Sequence, residues 1–328
     1  MDTAVGRLES FLREAIAQRD AARPKGKQQI RGDDDVAPKI LTRVKRAAKE
    51  LLGRTQAPRR EQPRPRSFEQ QIYSAIVRPG DVCFDVGANQ GDVAIFLSRL
   101  AGETGRVVAF EPVWPTFTTL CDNLRWDTHL KAPILTVPAG LADTDGQALI
   151  HVPGHAFPMA SMARPDRWRD AHMDAPVTSY QARFLTLDSF LAWTREALPD
   201  VMKIDVEGAE LLVLRGAAGT FAAGARPLLV VEVFAPWERA FGYGPWESLS
   251  WLGDRGYRFL FACPSGLIEH VPSPSTPFPA EYEQGYNILA FVPDKHNERV
   301  RSLDPLRSGE KVELLPMDPP PMPNRITA

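Results

Sequence analysis

The stretch GDVCFDVGANQGDVAIF, Gly80 to Phe96, constrains this chain more than any other. A short β-prone apolar run, Val82, Cys83 and Phe84, ends on Asp85. Gly87 and Gly91 bracket Ala88, Asn89 and Gln90, and Val93, Phe96, Leu97 and Leu100 then recur at helical spacing. A strand, a tight turn and a helix N-terminus in that order form the place where α/β proteins bind nucleotide-like cofactors.

The surrounding pattern agrees. From Ser67 onward the spacing predicts strands near 82–86, 106–110, 134–138, 201–206, 228–234, 257–262 and 287–292. Helices are predicted near 68–77, 91–101, 115–126, 188–197, 208–219 and 245–255. Strands this rich in Val, Ile and Leu, alternating with helices, imply an α/β fold with a mostly parallel sheet covered on both faces. A Pro/Gly/Ser stretch separates the last two strands and suits an antiparallel end to the sheet. Residues 151–183 break the alternation and read as an insertion or lid.

Outside this region the chain changes character. Of 39 Lys and Arg and 41 Asp and Glu, residues 1–66 hold 17 and 9, leaving 22 and 32 for the rest. A basic arm therefore precedes an acidic domain. Two amphipathic helices are predicted in the arm, over 3–20 and 38–53, joined by a polar linker and followed by a Pro/Arg-rich run. Their apolar faces can dock on the main domain or on a sister subunit. Lys39, Arg43, Lys45, Arg46 and Lys49 also suit a peripheral membrane contact. The division expected is 1–66 extension, 67–302 main domain and 303–328 Pro-rich tail. No run of 18 apolar residues predicts a membrane span or leader. The three cysteines, Cys83, Cys121 and Cys263, form neither a disulfide framework nor a metal-ligand spacing, so reduced thiols, a cytoplasmic location and no metal are expected.

The turn discriminates between cofactors. A dinucleotide site wants GxGxxG, whereas here the pattern is Asp85-x-Gly87-x-Asn89-x-Gly91. An acid stands before the first glycine and Asn89 replaces the middle one. S-adenosylmethionine (SAM) carries a sulfonium and an ammonium instead of a pyrophosphate, so an acidic strand end favours it. Glu111, at the end of the next strand, can accept from both ribose hydroxyls of an adenosine.

A second stretch, DVMKIDVEGAELLVLRGA from Asp200 to Ala217, puts Lys203, Asp205, Glu207 and Glu210 at the carboxyl end of a core strand. Alternation sets Lys203 and Asp205 on one side. Glu232, in LLVVEVF, is another acid near the end of an apolar strand. Such charges are costly in a core unless paired or used. Asp205 and Glu232 can flank a reacting hydroxyl or share a divalent cation; a metal is not predicted.

Through FDVGANQG, FEPVWPTFTTLCDN, FLTLDSF, MKIDVEGAELLVLRGA and VVEV, the region from Val82 to Val292 resembles the FkbM family of SAM-dependent methyltransferases. The resemblance implies a class I, Rossmann-like methyltransferase fold with seven strands, the last reversed. It implies O-methylation of a sugar, glycan or polyketide-type hydroxyl. By position, Asp85, Gly87, Ala88, Asn89, Gly91, Glu111 and Pro112 belong to the cofactor. Lys203, Asp205, Glu207 and Glu232 belong to the acceptor and its proton, and Asp188 caps the helix that follows it. The chain departs from the family at Trp114, where Pro is frequent, and at Asp92-Val93, where Thr, Ser or Tyr is frequent.

Rival readings remain. His151 and His155 are alternative bases. The turn after the fourth main strand lacks the Pro-Pro-aromatic signature of an exocyclic-amine nucleic-acid methylase, so no nucleic-acid partner is expected. A nicotinamide dehydrogenase is disfavoured by Asn89. A non-catalytic scaffold acting through the basic helices stays open, as does a homo-oligomer.

Overall fold

The computed structural model describes residues 67–154, 156–163, 176–263, 266–270 and 286–307. The readings made for residues 1–66, for His155 and for 308–328 lie outside them. In chain order the first half holds α1 (Phe68–Ile76), β1 (Val82–Val86), α2 (Asp92–Ala101), β2 (Arg106–Phe110), α3 (Trp114–Trp126) and β3 (Ile134–Val137). Next come β4 (Gly140–Leu141), β5 (Gly146–Pro153), β6 (Val177–Leu185), α4 (Leu187–Thr194) and β7 (Val201–Ile204). Then follow α5 (Glu210–Arg215), α6 (Ala218–Ala222), β8 (Leu228–Val233), α7 (Ala235–Ala240) and α8 (Pro245–Gly253). The last elements are β9 (Arg258–Cys263), β10 (Gly266–His270), β11 (Tyr286–Phe291) and α9 (Pro293–Arg301).

The main sheet runs β10-β9-β11-β8-β7-β1-β2-β3. β3, β2, β1, β7 and β8 are parallel neighbours, and β11 lies antiparallel between β8 and β9. The expected reversed strand is thus present, but the sheet has eight strands rather than seven. The extra one, β10, pairs antiparallel with the edge strand β9. Only Pro264 and Ser265 separate β9 and β10, and the alternation pattern had one strand there.

Parallel strands covered on both faces bury nearly every side chain. β7 reads Val201, Met202, Lys203 and Ile204, and all four are buried. Alternation divides the apolar load between the two faces. Cys83, Val107, Val201 and Leu228 join α1, α2 and α9 in one core. Phe84 and Phe110 point the other way and meet Phe190 of α4, with ring centroids 4.9–6.1 Å apart.

A second sheet, β4-β6-β5, stands apart from the first. β5 and β6 are antiparallel from Gly146↔Phe184 to Pro153↔Val177. The segment read as an insertion, 151–183, therefore begins and ends inside strands. The first half of each strand is largely exposed and lacks a full apolar face, which hid them from the periodicity.

Three further boundaries differ. The helix expected over 208–219 is two short helices, and Gly216 between them packs where a Cβ would lie 1.9 Å from the Ala142 carbonyl oxygen. The domain does not stop at residue 302. Leu303 is fully buried in the main core, and Asp304–Leu306 form a 3-10 turn. Asp188 does not cap α4. The Thr186 hydroxyl does, accepting from the Ser189 N–H at 3.0 Å. Asp188 instead accepts from the Gly219 and Thr220 N–H groups, both at 2.7 Å, and so caps α6 across the fold. Among the described residues no helix is long and apolar enough to cross a membrane.

Candidate active site

A cavity of 450 Å³ opens where β1, β2, β7 and β8 end. Ligand crevices in α/β sheets lie at this edge because consecutive strands there feed loops that diverge. The cavity has two unlike halves.

The first half is the turn after β1. Gly87 has φ +84°, and a Cβ on it would lie 1.8 Å from the Asp205 carbonyl oxygen. Gly91 has φ +94°, and its Cβ would meet Leu120 at 2.5 Å. Packing against the backbone after β7 therefore requires Gly87, and the left-handed φ favours glycine at Gly91, beyond any approach to a ligand. The Gly87 and Ala88 N–H groups donate to the Phe110 carbonyl at 3.1 and 2.9 Å, which joins the turn to β2. Glu111 completes the cradle. One of its oxygens accepts from the Asn89 N–H at 3.0 Å and the other from the Val113 N–H at 2.8 Å. Burial pushes its carboxyl up to about 7, although both N–H bonds oppose the shift.

The second half is the end of β7 and β8. The Lys203 ammonium lies 3.0 Å from Asp205 and 3.6 Å from the fully buried Asp85. Burial acts to lower the lysine, but Asp205, Asp85 and Glu69 outweigh it and hold the ammonium above its ordinary range. β7 ends at Ile204 because the chain then turns sharply. Glu207 takes φ +56°, a conformation rare for a residue with a Cβ. The buried Glu210 braces this turn, accepting from the Val206 and Gly208 N–H groups at 3.0 and 3.2 Å. Asp205, Glu207 and Glu232 each offer an oxygen, all within 4.8 Å of one another. Burial first, then Asp205, raises the carboxyls of Glu207 and Glu232 well above the usual range.

Residues 85–259 match the Methyltransferase FkbM domain family, over more than half of the chain. The protein belongs to the FkbM methyltransferase family. Among solved structures, it is similar to methyltransferase FkbM from Methylobacillus flagellatus, at 18% identity and a TM-score of 0.40. That match covers 68% of this chain and 50% of the other, so the chain spans half the length of that structure. A SAM-dependent O-methyltransferase from Thermotoga maritima matches at 15% identity and a TM-score of 0.34, over 74% and 69% of the two chains. A putative rRNA-methylase from Clostridium thermocellum matches at 11% and 0.38, over 68% and 92%. No curated protein matches the chain.

In this FkbM-family chain the cavity gathers most of the residues that its motifs single out. Gly87, Ala88, Asn89, Glu111 and Pro112 line it, as do Lys203, Asp205, Glu207 and Glu232. Asp85 and Gly91 do not. Asp85 sits behind Lys203, with both oxygens lacking a hydrogen-bond partner among the described residues. Of the two departures from the family, Asp92 and Val93 line the cavity. Trp114 instead stacks on Phe117 at 5.5 Å. His151 is absent from the lining and shares a 2.8 Å hydrogen bond with the Ser179 hydroxyl.

The segment read as an insertion or lid contributes Phe157, Pro158 and Met162 to an apolar wall, beside Ile150 and Phe184 of the second sheet. The Ser161 hydroxyl fastens this wall to the acid cluster by donating to the Glu207 carbonyl at 2.8 Å. The contributor that escaped the sequence reading is Glu69, from α1, well before the motif region. The signal available for it was slight: Glu69 and Tyr73 stand at the i,i+4 spacing at which helical side chains touch.

Proposed function

We propose that this protein is a SAM-dependent O-methyltransferase acting on a hydroxyl of a sugar, glycan or polyketide-type metabolite. The observation that carries the reading is the charge of the cavity. Six of its described lining residues are acids: Glu69, Asp92, Glu111, Asp205, Glu207 and Glu232. One, Lys203, is a base that stays charged, and it is already paired with Asp205. A lining of acids with one paired base favours a cationic ligand, which draws the raised carboxyls toward their ionised forms, and disfavours a pyrophosphate. SAM fits this lining, since it carries a sulfonium and an ammonium. The Asn89 Oδ1, buried in the turn without a hydrogen-bond partner among the described residues, also favours a polar ligand there.

When bound, SAM supplies an electrophilic methyl group. Glu111, held by two backbone N–H groups, keeps lone pairs for ribose hydroxyls. Asp205 takes the proton of the acceptor hydroxyl, and Lys203 holds its carboxylate in place. Glu207 and Glu232 hydrogen-bond and orient that hydroxyl, and proximity supplies much of the rate. The apolar wall excludes water from the hydroxyl. The three acids act here as proton and hydrogen-bond groups, because Lys203 already neutralises Asp205 at 3.0 Å. Free Cys83 and Cys121 suit a reducing, cytoplasmic setting.

The test is transfer of label from methyl-labelled SAM to a panel of sugar and polyketide alcohols, beside calorimetric titration with SAM and NADH. The reading expects SAM binding and labelled ether product. A scaffold would bind SAM without turnover, and a dehydrogenase would bind NADH instead.

A further inference from the structure

The acid that lies outside both halves of the site has an assignment of its own. Glu69 belongs to α1, which the family match does not include. The helix is firmly placed. Ser67 caps it, accepting from the Gln70 N–H at 3.1 Å, and Ile72, Tyr73 and Ile76 are buried in the main core. From α9, Arg299 donates to the Ile76 carbonyl at 3.2 Å and grips Asp81 at 2.5 and 2.9 Å. Tyr73, fully buried, donates its hydroxyl to Glu69 at 2.7 Å. That hydroxyl engages one carboxylate oxygen of Glu69. A buried tyrosine that spends its only proton on orienting an acid at a cavity wall fixes that acid's direction.

The position narrows what the acid meets. Glu111 stands at the end of β2, and the proton-accepting cluster stands at β7 and β8. The charges that bear on Glu69 are those of Lys203, Asp205 and Asp85, at β1 and β7. A SAM molecule with its ribose at Glu111 and its methyl toward Asp205 has one cationic group left, the α-ammonium of its amino-acid end. From this geometry we infer that Glu69, oriented by Tyr73, binds the α-ammonium of SAM, so that α1 completes the cofactor site. The inference rests on the proposed use of SAM. Its chemistry is a charge-assisted hydrogen bond, the stronger class of such bonds. Glu69 is a binding residue and Tyr73 a positioning residue.

The test is calorimetric titration of the full chain with three ligands: SAM, S-adenosylhomocysteine and 5′-methylthioadenosine. The first two carry the ammonium, and the third lacks the whole amino-acid end. Glu69→Gln should weaken SAM and S-adenosylhomocysteine alike, by roughly tenfold, and leave methylthioadenosine unchanged. Tyr73→Phe, which keeps the ring in the core, should give the same pattern at about a few-fold. It also tests the inference should Glu69→Gln not fold. If SAM alone weakens, Glu69 faces the sulfonium and the inference fails. If all three ligands weaken equally, or none does, α1 only shapes the wall and the inference also fails. If the unmodified chain binds none of the three, the use of SAM itself is wrong.

Discussion

The two halves of the cavity solve opposite problems. In the turn after β1, backbone N–H groups are satisfied from within: Gly87 and Ala88 donate to Phe110, and Glu111 holds Asn89 and Val113. At the ends of β7 and β8, three carboxylates crowd within 4.8 Å, with the single ammonium of Lys203 beside Asp205. A surface whose hydrogen bonds are already made is a rigid mould. A cluster with unbalanced charge is a site waiting for protons or cations. Geometry therefore belongs to the first half and chemistry to the second.

The largest effect should come from the joint between them. Gly87→Ala places a methyl against the Asp205 carbonyl at a positive φ that alanine disfavours. It should cost about 3 kcal/mol or more in denaturant unfolding and abolish SAM binding. A folded variant with full affinity would show that the mould is not rigid.

Asp205→Asn should come next. Loss of the proton acceptor should lower turnover by about a hundredfold or more while SAM affinity changes little. If Asp205→Asn keeps full turnover and Glu207→Gln loses it, the base is Glu207.

Glu111→Gln should show the reverse division. SAM affinity should fall by roughly tenfold, with turnover at saturating SAM within a few-fold of the parent. Similar losses in both quantities from both variants would erase the distinction between mould and chemistry.

Titration gives a smaller, graded effect. The folded carboxyl of Glu111 is pushed up to about 7 from an ordinary 4.5. Its favourable share of stability is complete below the ordinary value and is lost as pH rises toward about 7, since the native state binds the extra proton in that window. A cationic ligand favours the ionised form. SAM should therefore bind more tightly at pH 8 than at pH 6, releasing protons over that range, as paired calorimetry in buffers of different ionisation heat would read. Affinity independent of pH in the parent would count against the acidic-cradle reading.

The smallest expected change is at Ser161. Ser161→Ala frees the Glu207 carbonyl from the second sheet. About 1 kcal/mol of stability should go. The KM for the acceptor should rise a few-fold, with SAM affinity unaffected.

Much of this was readable before folding. The period of Val82–Asp85 and its turn, the apolar strands and the acids at their ends are local properties, set by neighbours a few residues away. They place Asp85, Glu111, Lys203, Asp205, Glu207 and Glu232 at one edge of a parallel sheet with no knowledge of contacts. The order of strands brings Glu232 beside Asp205, and β8 follows β7 as a parallel neighbour. What local pattern does not hold is who faces whom across distance. That Gly87 yields space to a carbonyl over a hundred residues later, that Ser161 fastens the second sheet to Glu207, that Asp188 caps α6 instead of α4, and that Glu69 reaches the cavity from α1 all depend on packing. Half-exposed strands such as β5 and β6 carry a weak period, and a helical acid looks the same whether it meets water or a cavity. The chain's order of residues thus specifies the chemistry available at the sheet's edge, and the burial of distant segments against one another selects which groups share a pocket.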